Sequence, residues 1–424
     1  MSLVRRSILA SCSFLSCLFA ACLLVACAPA QKATAPAVTA TVASAGPSLP
    51  SSGAPAAAAA PAIISSGQHC GFSVRRISAY GRGGMRPQIA AGAGAFAVAW
   101  EETTDHRSIR VATFAPDAQP LGGSVEVADV AHAAAEPRVT ANPDGDGFAV
   151  FWSISTGDGG AALDLRRIDR FGRPKSDAVP VVVAPGARAL AATPLDGGYA
   201  LAWWNWSGTP HQLAVSFLDK EGRAGGKPLP VTRAPSPDPT VDIAGGAAVG
   251  GRAATLIAWD ETIDGVDHVI LGELGKERLQ GRVDLGAGVT PRLGAGIVVF
   301  ERPAETAIMS VPLAGGTPTR IVDGHVPAAA PRGNGVTALC YLRDTDPSVE
   351  GHVDELICGD LVDGKIVDPT RIAVEPRGIF GLEVAAAANG RIGVAWQSQN
   401  EDDTGVSFAA LSCPAVAAAA KARP

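Results

Sequence analysis

The sequence of 424 residues is poor in aromatic side chains, in charge and in residues that favour helices. Aromatic residues make up 5% and charged residues 18%, whereas hydrophobic residues make up 47%. So few charges exclude a coiled coil, and so much apolar content excludes a disordered protein. The formal net charge is −6. Because phosphate binding requires a basic surface, nucleic acid is not an expected partner.

Several catalytic motifs are also missing from the sequence. It contains no nucleophile elbow, P-loop, HExxH or dinucleotide-binding fingerprint. The Asp-box of sialidases and the Trp-Asp signature of WD40 repeats do not recur. With 49 glycines and 32 prolines, the chain instead favours short strands and turns. We therefore predict an all-β, non-catalytic protein that needs no cofactor.

The first 26 residues have the order of segments found in bacterial export signals. Arg5 and Arg6 precede an apolar stretch that is too short and too rich in Ser and Cys for a good spanning helix. The stretch ends in Leu-Val-Ala-Cys at residues 24–27, which resembles the lipobox of bacterial lipoproteins. The resemblance implies cleavage before Cys27, a lipid on its thiol and attachment to the cell envelope. Ala28 stands where retention in the inner membrane would call for Asp, which favours the outer membrane.

An ordinary signal peptide is the alternative, because the leader contains other cysteines that make a chance match credible. The segment after the leader is a predicted tether, residues 27–68. Of the 40 residues from Ala28 to Gly67, 33 are Ala, Pro, Ser, Thr or Gly. Such a composition cannot bury a core. We predict the folded domain over residues 69–413 and a disordered tail over residues 414–424.

A short strand that ends in an aromatic residue recurs seven times in the folded domain. The copies lie at residues 96–100, 148–152, 199–203, 255–259, 297–300, 337–341 and 392–396. Each has one strand upstream, often opened by Pro, and two strands downstream. This repeat resembles a seven-bladed β-propeller of four-stranded antiparallel blades. A pair of β-sandwiches is the alternative, and the short fifth copy leaves a count of six or eight blades open.

The alternation within the repeated strand supports blade-on-blade packing. Phe96, Val98 and Trp100 point to one side, and the alanines between them point to the other. The last repeat stops after its third strand at 406–411, and a strand-like segment at 72–79 precedes the first repeat. We therefore expect the N-terminal strand to complete the last blade and to close the ring.

The cysteines of the folded domain fit this arrangement. Ring closure would bring Cys70 next to Cys413, and Cys340 and Cys358 lie on successive strands of one blade. An exported chain favours disulfides at both places. The alternative is a metal site made of all four thiolates, which lacks the usual Cys-x-x-Cys spacing.

The loops that join the second and third strands share one face of a propeller, here called the loop face. Their 61 residues contain 17 of the 41 acidic residues and three arginines. This face could bind a cation, a ligand or a partner. Alternatively, its acids pair with arginines of neighbouring blades: Glu101, Asp260 and Glu301 with Arg138, Arg188, Arg292 and Arg332.

Two strings on the chain have some character of metal sites. Residues 142–147 resemble the start of a calcium loop but favour a hairpin turn, because the twelfth position lacks the required Glu. In the sixth blade, Asp344, Asp346, His352 and Asp354 could chelate a cation. Neither pattern is strong enough to predict a metal site.

The third blade carries an unusual loop. Trp204 and Trp206 lie two residues apart and His211 follows, which could form a stacking platform for a sugar, a peptide or an aromatic ring. The two tryptophans could equally cap the edge of the blade. With Asp260 and Asp264 of the next blade, these residues form the predicted ligand site.

The function that best fits these features is an envelope lipoprotein whose propeller serves as a binding or interaction scaffold. In general form it is similar to propeller lipoproteins that assist outer-membrane assembly. The expected partners are the membrane, through the lipid on Cys27, and a protein or glycan on the loop face. A glycan hydrolase or lyase that works at the acidic face is the alternative function. A fold by itself does not identify chemistry.

Overall fold

The computed structural model describes the folded domain with short gaps. The described residues are 70–103, 106–128, 134–155, 161–184, 186–205, 212–232, 237–249, 252–345, 353–399 and 403–413. They form 28 strands and one short 3-10 turn, Pro303–Glu305. Among them, no helix is long and apolar enough to cross a bilayer.

The strands form seven four-stranded antiparallel sheets, numbered here as blades 1–7. Blade 1 contains β2 (Met85–Gly92), β3 (Ala95–Thr103), β4 (Arg107–Phe114) and β5 (Val125–Glu126). Blade 2 contains β6 (Ala134–Ala141), β7 (Phe148–Ser155), β8 (Ala161–Ile168) and β9 (Val179–Val183). Blade 3 contains β10 (Ala187–Leu195), β11 (Gly198–Asn205), β12 (Gln212–Asp219) and β13 (Leu229–Thr232). Blade 4 contains β14 (Val241–Val249), β15 (Arg252–Ile263), β16 (Val266–Leu274) and β17 (Leu279–Ala287).

The remaining three blades complete the ring. Blade 5 contains β18 (Val289–Leu293), β19 (Ile297–Arg302), β20 (Ala307–Pro312) and β21 (Thr319–Asp323). Blade 6 contains β22 (His325–Gly333), β23 (Val336–Asp344), β24 (Asp354–Val362) and β25 (Lys365–Glu375). Blade 7 contains β26 (Ile379–Ala386), β27 (Ile392–Gln399), β28 (Thr404–Ser412) and β1 (Gly71–Arg76). The first strands of neighbouring blades contact one another all the way round, from β2 through to β26 and back.

Ring closure occurs as predicted. The N-terminal strand β1 pairs antiparallel with β28, in a register that sets Phe72 opposite Leu411. A disulfide joins Cys70 to Cys413, and a second one joins Cys340 to Cys358. The seven-bladed count is therefore confirmed, including the short blade 5.

Large and small side chains alternate between blades. Phe96 and Trp100 pack against the alanine side of blade 7, where Ala395 lies. The alanine face of β3 meets Phe148 and Trp152 of blade 2. All four of these aromatic side chains are fully buried. The alternation read from the sequence is thus the packing rule of the ring.

A recurring hydrogen bond, here called the inter-blade clasp, joins neighbouring blades. The residue after the terminal aromatic accepts a hydrogen bond from a backbone N–H at the start of the next blade. The clasps are Glu101 with Glu136 N (2.7 Å), Asp260 with Thr290 N (3.4 Å), Glu301 with Val326 N (2.8 Å) and Gln397 with Arg86 N (2.9 Å). The four donating residues have φ between 48° and 55°, each at a β-bulge before a proline.

The predicted ion pairs between the acids that follow the aromatics and the arginines of neighbouring blades are wrong, because these arginines have other partners. Among the described residues, Arg188 pairs with Glu136, Arg292 with Glu383 and Arg332 with Asp360. Arg138 donates instead to the carbonyl of Leu190 in blade 3. The acids after the aromatics do join blades, but through the clasp amides.

The string at 142–147 is a hairpin turn, as favoured above. Gly145 N donates to the carbonyl of Asn142, and Asn142 N donates to the carbonyl of Gly147. Asp144 pairs with Arg167 and Asp146 pairs with Lys175, so both carboxylates already have cationic partners.

Candidate functional site

A concave site bounded by the described residues lies on the propeller axis. It is a cavity of about 370 Å³ lined by residues from the first strands of all seven blades. The part of the lining nearest the loop face is made of residues at the beginnings of the first strands. Because ligands of propellers and barrels commonly occupy such central openings, we consider this axial cavity first.

One register position supplies half of the charged residues in the cavity. In each blade, one residue of the first strand lies opposite the second-strand residue that directly precedes the recurring aromatic of the repeat, such as Trp100 in blade 1. The polar members of this set, here called the axial ring, are Gln88, Arg138, Asp242, Arg292 and Glu383. In blades 1, 2, 5 and 7 a bulge precedes this position. Bulges re-aim the following side chains, which suits a ring of groups around an axis.

Hydrogen bonds at the axis connect neighbouring and non-neighbouring blades. Glu383 Oε1 accepts from Arg292 Nη2 at 3.2 Å and from Gln88 Nε2 at 3.3 Å. These contacts join blades 7, 5 and 1. Arg138 Nη1 donates to the carbonyl of Pro137 at 2.7 Å. Burial lowers the pKa of Arg138, and the charges of Glu383 and Glu136 partly offset this.

Asp242 is the most perturbed carboxyl of the cavity. Burial raises its pKa to about 6, although Arg292 and two backbone hydrogen bonds act in the opposite direction. Those bonds come from Leu293 N at 2.7 Å and from Ile243 N at 2.8 Å. The negative charge of Glu383 raises the pKa further. Asp242 can therefore exchange a proton near neutral pH.

A charged network runs around the mouth of the cavity over blades 1–4. Arg86 Nη1 lies 3.0 Å from Glu101 Oε1, and Arg188 Nε donates to Glu136 Oε1 at 2.6 Å. Arg188 Nη1 also lies 3.9 Å from Asp238 Oδ1. Burial acts to raise the pKa of Glu136, but the hydrogen bond and charge of Arg188 outweigh it and lower the pKa. The mouth thus presents alternating positive and negative groups.

The residues predicted from the sequence lie near the rim rather than on the axis. Trp204 is only 4% exposed, and the guanidinium of Arg188 lies 5.8 Å from its ring centre. Trp206 and His211 lie outside the described residues. This burial fits the interpretation of Trp204 as a cap on the blade better than that of a stacking platform.

The two predicted aspartates also lie apart from the cavity. Asp260 is buried, where it accepts hydrogen bonds from Thr240 N and Thr290 N. Burial raises the pKa of Asp260 to about 6. Asp264 is exposed, with φ of 51°, in the two-residue turn between β15 and β16. Asp260 is therefore placed to join neighbouring blades, and Asp264 is placed to form a hairpin turn.

Sequence reasoning missed the axial ring, although a signal for it was present. In three blades the ring residue directly follows the proline that opens the first strand: Gln88, Arg138 and Arg292. A polar residue there interrupts a strand that is otherwise buried. Acidic groups also converge on the axis at Asp242 and Glu383, whereas the sequence suggested that acids were spread around the rim.

No family model and no curated protein sequence matches this chain. Among solved structures, it is similar to a puromycin hydrolase, with 13% identity over 74% of this chain and 50% of that chain, and a TM-score of 0.50. It is also similar to a protein of unknown function from Dyadobacter fermentans, with 10% identity over 80% of this chain and 99% of that chain, and a TM-score of 0.49.

A third similar structure is the β-propeller domain of the Trilobed protease from Pyrococcus furiosus. Its identity is 8% over 77% of this chain and 95% of that chain, with a TM-score of 0.46. The present chain spans about half the length of the puromycin hydrolase. At such identities the likeness concerns the fold alone, and the chain is accordingly described as a seven-bladed β-propeller.

Proposed function

We propose that this propeller is a non-catalytic binding module of the bacterial cell envelope, held at the outer membrane by lipid on Cys27. Its ligand is a glycan or a peptide segment of a partner protein, bound in the axial cavity from the loop face. The observation that carries the proposal is the axial cavity itself, with charged groups of both signs contributed by most of the blades.

The charge balance of the cavity supports a polar ligand of low net charge. Its lining contains four arginines and four acids: Arg86, Arg138, Arg188, Arg292, Glu136, Asp238, Asp242 and Glu383. Sugars and peptide groups offer both donors and acceptors to such a lining. Its volume lies within the range of small-molecule sites. Most of these groups already have partners within the protein, so the site is preorganised.

The location rests on the sequence of the first 68 residues. The leader, the Leu-Val-Ala-Cys run and the Ala/Pro/Ser-rich segment occur in the order that a tethered lipoprotein requires. Such a tether would let the propeller reach a ligand away from the membrane. Both disulfides also suit an oxidising compartment.

The binding test uses the full chain on a glycan array and on a peptide array. We expect Arg138→Gln to weaken binding at least about tenfold, because a charged donor to a ligand is lost. Arg167→Gln is the matched control, since its partner Asp144 lies in the β6–β7 turn, away from the cavity residues. Equal binding by both variants would contradict the axial site, and no binding by the folded wild type would contradict the module.

A second function is favoured by one observation, the raised pKa of Asp242 beside the charge of Glu383 in one cavity. Glycosidases use such a pair, a protonated acid and an ionised carboxylate. The release of reducing ends from array-positive glycans decides between the two functions. Turnover that Asp242→Asn abolishes while binding persists would establish the hydrolase, and binding without turnover would support the non-catalytic module.

A further inference from the structure

Three potential metal ligands converge at one end of blade 6, and none of them lines the axial cavity. His325 is the first residue of β22, Asp344 is the last of β23 and Asp354 is the first of β24. One ligand atom from each lies within 4.8 Å of the others. His325 Nε2 is 3.3 Å from Asp344 Oδ1 and 3.6 Å from Asp354 Oδ1.

Strand register creates this cluster. Asp344 and Asp354 are directly opposite each other on the antiparallel pair β23–β24. Two like charges in such positions destabilise a sheet unless something positive lies between them. The pairing of β23 with β24 continues one residue beyond Asp344, where the N–H of Thr345 donates to the carbonyl of Val353 at 3.1 Å. The fold therefore holds the two carboxylates together and brings His325 against them.

The buried carboxylate is oriented for coordination. The side chain of Asp354 is 6% exposed. Its Oδ2 accepts a hydrogen bond from Ile379 N of blade 7 at 2.8 Å, which fixes the carboxylate plane. Among the described residues, its buried Oδ1 and His325 Nε2 have no partner with the distance and angle of a full hydrogen bond. The two atoms lie 3.6 Å apart, close enough for a single ion to contact both.

We propose that His325, Asp344 and Asp354 bind a divalent transition-metal ion of the Zn²⁺ class. With bonds of about 2.0–2.1 Å in tetrahedral geometry, neighbouring ligand atoms would be about 3.3–3.4 Å apart. The separations around His325 Nε2 are close to that spacing. An imidazole combined with carboxylates suits Zn²⁺ or Mn²⁺, whereas Ca²⁺ and Mg²⁺ prefer oxygen alone.

The surroundings favour a cation and leave it a route of entry. Glu301 also lies near His325 and adds negative charge to the site. The side chains of His325 and Asp344 are 25% and 32% exposed, so the cluster can be reached from solvent. A proton on His325 is the competing occupant, because the two aspartates would stabilise an imidazolium. Metal binding must displace that proton and is expected to weaken as the pH falls.

The test is calorimetric titration of the full chain in detergent with Zn²⁺ alone, after EDTA treatment and alkylation of its free thiols. We expect one tight site per chain at pH 7.5, with affinity at least about tenfold weaker in Asp344→Asn and His325→Gln. His268→Gln is the matched control, because among the described residues His268 forms an ion pair with a single carboxylate, Asp284, at 3.0 Å. It should bind as the wild type does.

Crystals of the zinc-loaded wild type give a second readout that does not depend on how a variant folds. An anomalous peak within about 2.0–2.2 Å of His325 Nε2 and both carboxylates would support the site. Absence of a tight site in the wild type, zinc bound elsewhere, or unchanged affinity in both variants would overturn it. An increase in the melting temperature with Zn²⁺ that is lost in Asp344→Asn would add support.

Discussion

At the scale of single residues, the protein keeps ionisable groups in places where a typical core would be apolar. Asp242 and Asp260 both have pKa values raised to about 6 by burial. Each also accepts two backbone hydrogen bonds that fix the first strands of blades 4 and 5. These carboxyls therefore combine an architectural role with sensitivity to pH.

Asp242 should make the stability of the protein depend on pH. In an unfolded chain the pKa of Asp is about 4. At Asp242 the folded state therefore binds more protons than the unfolded state between pH 4 and 6, and the contribution of this group to stability falls as the pH rises through this window. The full loss, reached above pH 6, is on the order of 3 kcal/mol for Asp242. Urea unfolding at pH 4–7 should show a smaller decline in Asp242→Asn.

The control for this series is Asp264→Asn, because Asp264 is exposed in a turn. It should show the same decline as the wild type. Asp260 contributes a similar decline of its own, so the Asp242 variant should retain part of the slope. An unchanged slope in Asp242→Asn would contradict the buried environment assigned to it.

We expect replacement of Trp204 to lower the stability of the fold rather than to remove a ligand contact. Its ring is buried at the edge of blade 3 near Arg188. Replacement by Ala should cost about 3–5 kcal/mol of unfolding free energy, measured by chemical denaturation. Tyr80→Ala, at a side chain that is 79% exposed, should cost less than about 1 kcal/mol. A stable Trp204→Ala variant that fails to bind ligand would instead support the stacking platform.

At the scale of elements, the bulged start of the first strand is the part of blades 1, 2 and 5 that both joins blades and shapes the cavity. In these blades the bulge precedes a polar ring residue, and the N–H two positions before that residue donates to the clasp from the preceding blade. A non-glycine residue with positive φ is an uncommon conformation. Here it recurs because the clasp and the following proline fix it. The element that joins the blades thus also shapes the cavity.

Removal of one clasp tests this relation. Glu301→Ala leaves the N–H of Val326 without its acceptor, so it should lower the unfolding free energy by about 1–3 kcal/mol. Glu301→Gln keeps an acceptor oxygen and should cost much less. Glu305→Ala is the control, since its exposed side chain pairs only with Arg302 among the described residues. Equal losses in the Ala and Gln variants would show that charge, and not the hydrogen bond, matters.

The strands and their packing could be predicted from the sequence, whereas the residues of the axial cavity could not, because the two depend on interactions of different range. Alternation of Phe96, Val98 and Trp100 with alanines is a local pattern, and it predicted both the strand and its packing partner. The axial ring depends on register and on bulges, which combine residues that are up to about 300 positions apart. Trp204 is a comparable case, because only tertiary packing decides whether a tryptophan in a loop is covered.

At the scale of the whole molecule, we expect the disulfide that closes the ring to contribute more stability than the disulfide within blade 6. The Cys70–Cys413 disulfide spans 343 residues, whereas the Cys340–Cys358 disulfide spans 18. In the chain-entropy model the long loop contributes about 6 kcal/mol and the short loop about 3 kcal/mol, as upper values. Cys70→Ser/Cys413→Ser should therefore lower the melting temperature more than Cys340→Ser/Cys358→Ser. The reverse order would show that blade 6, rather than closure, limits stability.

The proposed attachment of the protein to a membrane would depend on one thiol, that of Cys27. In a diderm bacterium, the wild-type chain should be cleaved before Cys27 and should fractionate with membranes, because two or more acyl chains give stable anchoring where one does not. Mass spectrometry of the N-terminal peptide measures the added lipid. Cys27→Ser should lose the lipid and the cleavage, whereas Cys22→Ser should retain both. A wild-type protein that is cleaved but carries no lipid would instead identify an ordinary export signal, and the propeller would then meet its ligand as a free protein.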